Sequence, residues 1–224
     1  MTKFALYATE PTELLPDMQV EARMLTRRHA AAEKRSNGKS WEVDCGWPNT
    51  LEVVADVNHI DEGSCDLLYG LVRAIQPDMV LETGTHKGRS TAAISQALEA
   101  NARRGRLVTL DMEDFGTKNS PALTDHQKEL VTFAIGTSPR CLGELKETLS
   151  EPIDFAYLDG GHEREVLAAE LDFVAENAAS ECTIVVDNTL DDMWPGVREA
   201  LDDFEHTGIT VSTMCGFDII VLRA

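Results

Sequence analysis

Asp159 and Asp187 close two apolar runs, IDFAYLD and CTIVVD, and Asn188 follows the second directly. Two carboxylates and an amide oxygen make a hard, all-oxygen set that suits Mg2+ or Ca2+, with positions left for water or substrate. His162 stands three residues beyond Asp159. A free imidazole has a pKa of about 6.5 and suits proton abstraction near neutral pH. Each residue taken singly has a plainer explanation. DGG and DNT are ordinary turns after strands, and His162 could begin a helix with a local hydrogen bond. Together they favour a site. The interval from Asp159 to Asp187 is what one strand–helix–strand unit needs, so both carboxylates can reach the same sheet edge.

A second cluster lies upstream. In VLETGTHKGRS, Gly84 and Gly88 fall between an apolar run and a helical pattern. Small residues there let the backbone approach a ligand, and a helix N-terminus offers free N–H groups. The dinucleotide fingerprint G-x-G-x-x-G requires glycine where His86 stands, so a pyrophosphate loop fits poorly. Asp111 closes the next run, RLVTLD, at the remove where an acid can take both ribose hydroxyls. A tight turn and a helix cap are the alternatives for the two features.

These residues need a scaffold that gathers strand ends. The pattern DEGSCDLLYGLVRAIQP reads as a helix with Leu67, Leu68, Leu71, Val72 and Ile75 on one face, ended by Pro77. DMVLETG, RLVTLDM, LVTFAIG, IDFAYLDG and CTIVVDN read as buried strands, separated by helical stretches. TDHQ at Thr124–Gln127 is a capping box. A helix runs from Arg164 to about Ala178, and Pro195 opens another holding Val197, Leu201 and Phe204. GITVSTMCGFDIIVLRA reads as two strands with a tight turn near Cys215-Gly216. The expectation is an α/β fold: a Rossmann-like, doubly wound, mostly parallel seven-stranded sheet with a C-terminal antiparallel hairpin strand. Ligands in such sheets bind outside the carboxyl ends of the strands, at the topological switch point.

With ETGTHKG, VTLD, LDGGH and VVDN in view, the sequence resembles the class I S-adenosylmethionine-dependent methyltransferases over about residues 60–224. Within that class it is similar to the metal-dependent O-methyltransferases of the catechol and caffeoyl-CoA type. It also looks like a related bacterial branch with an Asp-Gly-x-His motif. The resemblance implies that Gly84, Thr85, His86, Gly88 and Ser90 hold the methionine portion of S-adenosylmethionine. It places Asp111 at the ribose with Met112 beside it, and Gly136, Thr137 and Ser138 near the adenine. Glu82 orients the cofactor, and Asp159 faces it as well. A divalent metal, Mg2+ first, is implied on Asp159, Asp187 and Asn188, with Asp159 and His162 as the catalytic pair. That group uses Lys where His162 stands, which points away from a catechol acceptor. The expected activity is methyl transfer to a small-molecule hydroxyl. The alternatives are a metal-independent enzyme with His162 as base, a nicotinamide oxidoreductase, or a cofactor-binding protein without catalysis.

The bulk properties bound these readings. The 224 residues suffice for one large domain, and Lys+Arg 20 against Asp+Glu 39 leaves a net charge of −19. Such a field repels phosphate backbones, so no nucleic-acid partner is expected. Five scattered cysteines without a C-x-x-C pair suggest neither a disulfide framework nor a zinc site, and a reducing cytoplasm is expected. No run approaches the roughly 20 apolar residues of a membrane helix, so no membrane partner is expected. Residues 61–224 are expected to form the cofactor-binding domain, and residues 1–60 a helical and loop extension that caps the site or contacts a second copy in a homodimer. Within it, Arg23, Arg27, Arg28, Lys34, Arg35 and Lys39 face the single acid Glu33, and Trp41, Trp47 and His59 are candidate site covers, as is Trp194 downstream. A solvated basic face is the plainer reading of the charges.

Overall fold

A computed structural model describes the backbone of residues 4–7 and 41–43. It also describes residues 60–223 apart from 61, 103–104, 116–122, 147–148, 191, 207 and 213–215. In chain order the elements are β1 (Phe4–Tyr7), β2 (Trp41–Val43), α1 (Glu62–Ile75), β3 (Met79–Thr83), α2 (Arg89–Ala100), β4 (Arg106–Asp111), α3 (Asp125–Leu130) and β5 (Val131–Ile135). These are followed by α4 (Ser138–Leu145), β6 (Ile153–Leu158), α5 (Arg164–Asn177), β7 (Ala178–Val186), α6 (Pro195–Asp203), β8 (Gly208–Ser212) and β9 (Phe217–Arg223).

The strands form one sheet in the order β2-β1-β8-β9-β7-β6-β3-β4-β5. The seven strands from β3 onward are those expected. β5, β4, β3, β6 and β7 run parallel, and β9 lies antiparallel between β7 and β8. The two further strands differ from the expectation of helices and loops before residue 60. FALY pairs with the edge strand β8 and WEV pairs with FALY. Segments this short carry too little periodicity to be read as strands, and an open sheet edge supplies the partner that forms them. The expected basic helix, Trp47 and His59 lie outside the described residues.

Side chains alternate across the sheet as the two-residue period dictates. On one face Val80, Leu107, Phe155 and Tyr157 pack with Leu67, Leu68 and Leu71 of α1 and Ile94 and Leu98 of α2. On the other, Leu81, Leu110, Ala156 and Leu158 pack with Leu142 of α4, Leu167, Leu171 and Val174 of α5, and Leu201 of α6. Helices on both faces bury the central strands β3 and β6 almost throughout, which is why they read as continuous apolar runs, while the edge strand β5 stays partly exposed. The Thr124 capping box is present: the hydroxyl accepts from the Gln127 amide (3.2 Å), and the Thr124 amide donates to Gln127 Oε1 (3.0 Å). Among the described residues Cys65, Cys141 and Cys182 are buried. None of the described helices is long and apolar enough to cross a membrane.

The chain leaves β3 toward β4 and β5, then returns to place β6 on the other side of β3. The switch point therefore lies between the carboxyl ends of β3 and β6, and the two clusters singled out above meet there.

Candidate active site at the strand ends

Gly84 and Asp159 follow directly on β3 and β6, whose last paired residues are Thr83 and Leu158. The Asp159 amide donates to the Thr83 carbonyl at 3.0 Å. Gly84 has φ +88°, and a Cβ built there would overlap the Asp159 carbonyl oxygen. Only glycine accommodates both the left-handed backbone and the contact. The glycine loop and the DGGH segment are thus two walls of one crevice.

The loop turns tightly into α2. The Gly88 amide donates to the Thr85 carbonyl at 2.8 Å, and Gly88 itself has φ +80°. His86 also sits in the left-handed region (φ 42°), a conformation uncommon outside glycine. It directs its amide onto Asp111 Oδ2 at 2.7 Å, while the Glu113 amide reaches Asp111 Oδ1 at 3.1 Å. Asp111 is thereby fixed at the end of β4 next to the loop, with lone pairs left for a ligand. Phe115 meets the His86 ring edge-on at 4.7 Å. Met112 is 67% exposed beside it.

Not every residue of the loop faces the crevice. Thr85 is buried with its hydroxyl 2.6 Å from Thr109 Oγ1. Ser90 is also buried and hydrogen-bonds Glu82. These two side chains support the loop from beneath, so only their backbones are available to a ligand. Gly136 and Thr137 lead from β5 into α4, the Gly136 amide donating to the Asp111 carbonyl at 2.8 Å. Ser138 is buried too, with its hydroxyl on Glu170.

Glu82 is fully buried, and its Oε2 accepts from Thr91 Oγ1 at 2.7 Å. Among the described residues its Oε1 has no hydrogen-bond partner. Burial pushes the carboxyl up to about 7 against the hydrogen bonds from Ser90, Thr109 and Thr91. Glu170 is likewise pushed up to about 7 by burial, against its bonds from Ser138 and Thr83. Both acids ordinarily titrate near 4.5. The folded chain therefore holds protons that the unfolded chain releases between pH 4.5 and 7. Stability from these groups is fully present below 4.5 and is lost as pH rises toward 7. Glu82→Gln is expected to flatten this dependence by an amount on the order of a few kcal/mol. Melting temperatures of the two proteins across that pH range are the check.

At the ends of β6 and β7 a phenol joins the two aspartates. Tyr157 Oη lies 2.8 Å from Asp187 Oδ2 and 3.2 Å from Asp159 Oδ2. Asp187 is buried, and its Oδ1 accepts from the Asn188 amide at 2.7 Å. Asn188 adopts φ 60°, a left-handed turn that asparagine tolerates better than most residues. Its Oδ1 is 2.8 Å from His162 Nε2, which also lies 3.6 Å from Asp159 Oδ1. Trp194, just before α6, stacks on the His162 ring at 4.4 Å and 25°. Asp159, His162, Asp187 and Asn188 therefore share one corner of the crevice.

The electrostatics of this corner are unbalanced. Burial raises the Asp159 pKa, against the His162 and Tyr157 hydrogen bonds that lower it. Burial lowers the His162 pKa, but the contacts with Asp159 and Asn188 and the charges of Asp159 and Asp187 outweigh it and leave it raised. One phenolic proton cannot serve two carboxylates at once. The hard oxygens of the two carboxylates together with the Asn188 amide oxygen are chemically suited to a divalent cation. Among the described residues no three His, Cys, Asp or Glu side chains are grouped to hold an ion. The third ligand of this set would be an amide.

Tyr157 and Glu170 were not singled out in the sequence. Tyr157 is embedded in an apolar strand, and Glu170 reads as a polar position on an amphipathic helix. The one available signal for Tyr157 is a polar tip two residues before a strand-end acid, on the same face by strand period.

Residues 81–189 match a family model described as a methyltransferase domain. Over that stretch the chain is similar to a methyltransferase domain. The matched stretch contains both walls of the crevice, from the end of β3 through Asn188. No curated protein matches the sequence. Among solved structures the chain is similar to the O-methyltransferase TomG from Streptomyces achromogenes, involved in tomaymycin synthesis and solved with S-adenosylmethionine. The two are 22% identical, with a TM-score of 0.62 over 74% of this chain and 82% of that one. An O-methyltransferase from Bacillus cereus, in complex with S-adenosylhomocysteine, is 18% identical, with a TM-score of 0.62 over 75% of this chain and 84% of that one. A methyltransferase from Geobacter sulfurreducens is 15% identical, with a TM-score of 0.59 over 90% of this chain and all of that one. At these identities the likeness is one of fold.

Proposed function

We propose that this chain is a methyltransferase that transfers the methyl group of S-adenosylmethionine to the hydroxyl of a small molecule, with His162 as general base and a divalent ion, Mg2+ first, on Asp159, Asp187 and Asn188. The observation that carries the reading is the contact of the two walls: the Gly84 loop lies against Asp159, and Asp159 stands 3.6 Å from His162. A cofactor cradled by the loop and a base beside the carboxylates would then serve one crevice.

The residues fit the cofactor. Gly84 and Gly88 open the backbone, the loop precedes the N-terminus of α2, and Glu82 keeps one buried oxygen without a partner among the described residues. Asp111 is fixed for the ribose by two backbone amides. Gly136 and Thr137 close the adenine side, with Met112 exposed next to Asp111. S-adenosylmethionine supplies an electrophilic methyl, and a bound divalent ion supplies Lewis acidity that lowers the pKa of a hydroxyl.

The chain's own residues do the rest. His162 Nε2–H donates to Asn188 Oδ1, which leaves Nδ1 to accept the acceptor's proton. Asp159 and Asp187 stabilise the imidazolium so formed, and Trp194 holds the ring plane by stacking. The acceptor oxygen forms its bond to the methyl carbon as the carbon–sulfur bond breaks, and the electron pair remains on sulfur. Holding both reactants in line supplies much of the acceleration. The lineage of O-methyltransferase neighbours supports oxygen as the nucleophile.

A second reading has its own observation. His162 already hydrogen-bonds the amide oxygen assigned to the ion, so an imidazolium could serve as the cation of the corner and the enzyme would need no metal. Activity in the presence of EDTA separates the two. For the cofactor, titration calorimetry with S-adenosylhomocysteine is expected to show one site per chain in the wild type. Asp111→Ala is expected to weaken binding about tenfold or more, as loss of hydrogen bonds to a charged acceptor does. Equal binding by both proteins would remove Asp111 from the site.

A further inference from the structure

The reaction just described leaves the buried acid of α5 unused. Glu170 is 1% exposed, yet its carboxylate is fully engaged. Oε2 accepts from Thr83 Oγ1 at 3.1 Å, and Oε1 accepts from Ser138 Oγ. A Cβ built on Gly160 would stand 2.9 Å from Glu170 Oε1 and 2.9 Å from Thr83 Cβ. Thr83 ends β3 immediately before Gly84, Ser138 begins α4 directly after Thr137, and Gly160 follows Asp159. Three segments from three strand ends converge on one side chain.

A carboxylate is costly to bury, and a hydrophobic residue of similar volume would pack α5 more cheaply. What an apolar residue cannot do is hold two hydroxyls from separate segments at once. Thr83 also accepts the Asp159 amide through its carbonyl at 3.0 Å, so a shift at Thr83 moves both walls of the crevice.

We infer that Glu170 is a positioning residue for the cofactor: it clasps the Thr83, Gly160 and Ser138 segments so that the glycine loop, the DGGH turn and the start of α4 stand ready to bind. The inference rests on the S-adenosylmethionine reading above. It places Glu170 beneath the pocket, out of contact with the reacting atoms.

Glu170→Gln tests it. The amide keeps the shape but one of its two positions can no longer accept a hydroxyl proton. The variant is expected to raise the KM for S-adenosylmethionine and the Kd for S-adenosylhomocysteine about tenfold, the loss of one hydrogen bond to a charged group. The turnover number at saturating cofactor is expected to stay within about threefold, because positioning acts on uniform binding. Ser138→Ala and Thr83→Val are expected to weaken binding in the same direction, and to add less in the Glu170→Gln background than alone. If Glu170→Gln does not fold, those two variants carry the test. Unchanged cofactor affinity in them, or in a folded Glu170→Gln, overturns the inference, as does a fall in turnover at unchanged KM. A wild-type chain that takes up no S-adenosylhomocysteine overturns the cofactor reading itself. Wild-type binding with equal binding by the variants overturns only the assignment of Glu170.

Discussion

Asp187→Ala is expected to lower turnover at least about a thousandfold, since Lewis-acid polarisation contributes several kcal/mol and each 1.36 kcal/mol is a factor of ten. The Kd for S-adenosylhomocysteine should change little, because Asp187 lies at the end of β7 while the glycine loop and Asp111 lie beyond β6, on β3 and β4. The substitution has a structural cost that must be separated from the catalytic one. Asp187 accepts the Tyr157 hydroxyl at 2.8 Å, and Tyr157 is fully buried. Asp159 Oδ2, at 3.2 Å, remains as the phenol's other acceptor, so the loss is that of the shorter hydrogen bond to a charged group, about 1.5–3 kcal/mol of stability. Asp187→Asn keeps an oxygen that can accept from the phenol but removes the charge. It should restore much of the melting temperature and little of the turnover. Recovery of turnover in Asp187→Asn to within tenfold of wild type would show that charge at this position is dispensable.

His162→Ala is the second large effect. General-base catalysis contributes about 10²–10⁴-fold, and turnover should fall within that range with the KM for S-adenosylmethionine nearly unchanged. His162 is held on three sides: Asn188 Oδ1 at 2.8 Å, Asp159 Oδ1 at 3.6 Å and the stacked Trp194 ring. In the proposed reading these contacts orient the ring and leave Nδ1 to accept the proton. A loss of less than about fivefold in steady-state turnover would remove His162 from the chemical step, since positioned bases contribute at least about a hundredfold.

The strand-end residues were legible because physics writes them plainly. A strand buried on both faces is an apolar run, so the acid or glycine that closes it is conspicuous, as at Asp111, Asp159 and Asp187. Their meeting in space was also foreseeable: strand–helix alternation forces a parallel sheet, and a parallel sheet collects its carboxyl ends on one edge. The Thr124–Gln127 box and the helix from Arg164 followed from local capping and spacing alone.

What escaped was tertiary. Thr85, Ser90 and Ser138 lie in segments that border the crevice, yet each hydroxyl turns inward, to Thr109, Glu82 and Glu170. A loop's sequence tells where its backbone goes; which side chains line the crevice depends on what packs beneath. Tyr157 hides a polar tip inside a core strand, and Glu170 bonds partners far off in the chain, Thr83 and Ser138. Neither partner can be found from local pattern. The strands β1 and β2 exist through pairing to β8, a long-range event that four- and three-residue segments do not announce.

The most direct measurement of the central claim follows a labelled methyl group from S-adenosylmethionine into a library of small-molecule hydroxyl compounds, with Mg2+ and again with EDTA. The expected result is label recovered as a methyl ether, formed with Mg2+, lost in EDTA and restored when Mg2+ is returned. Undiminished transfer in EDTA would contradict the ion on Asp159, Asp187 and Asn188. Label found on nitrogen or sulfur would contradict the hydroxyl as acceptor.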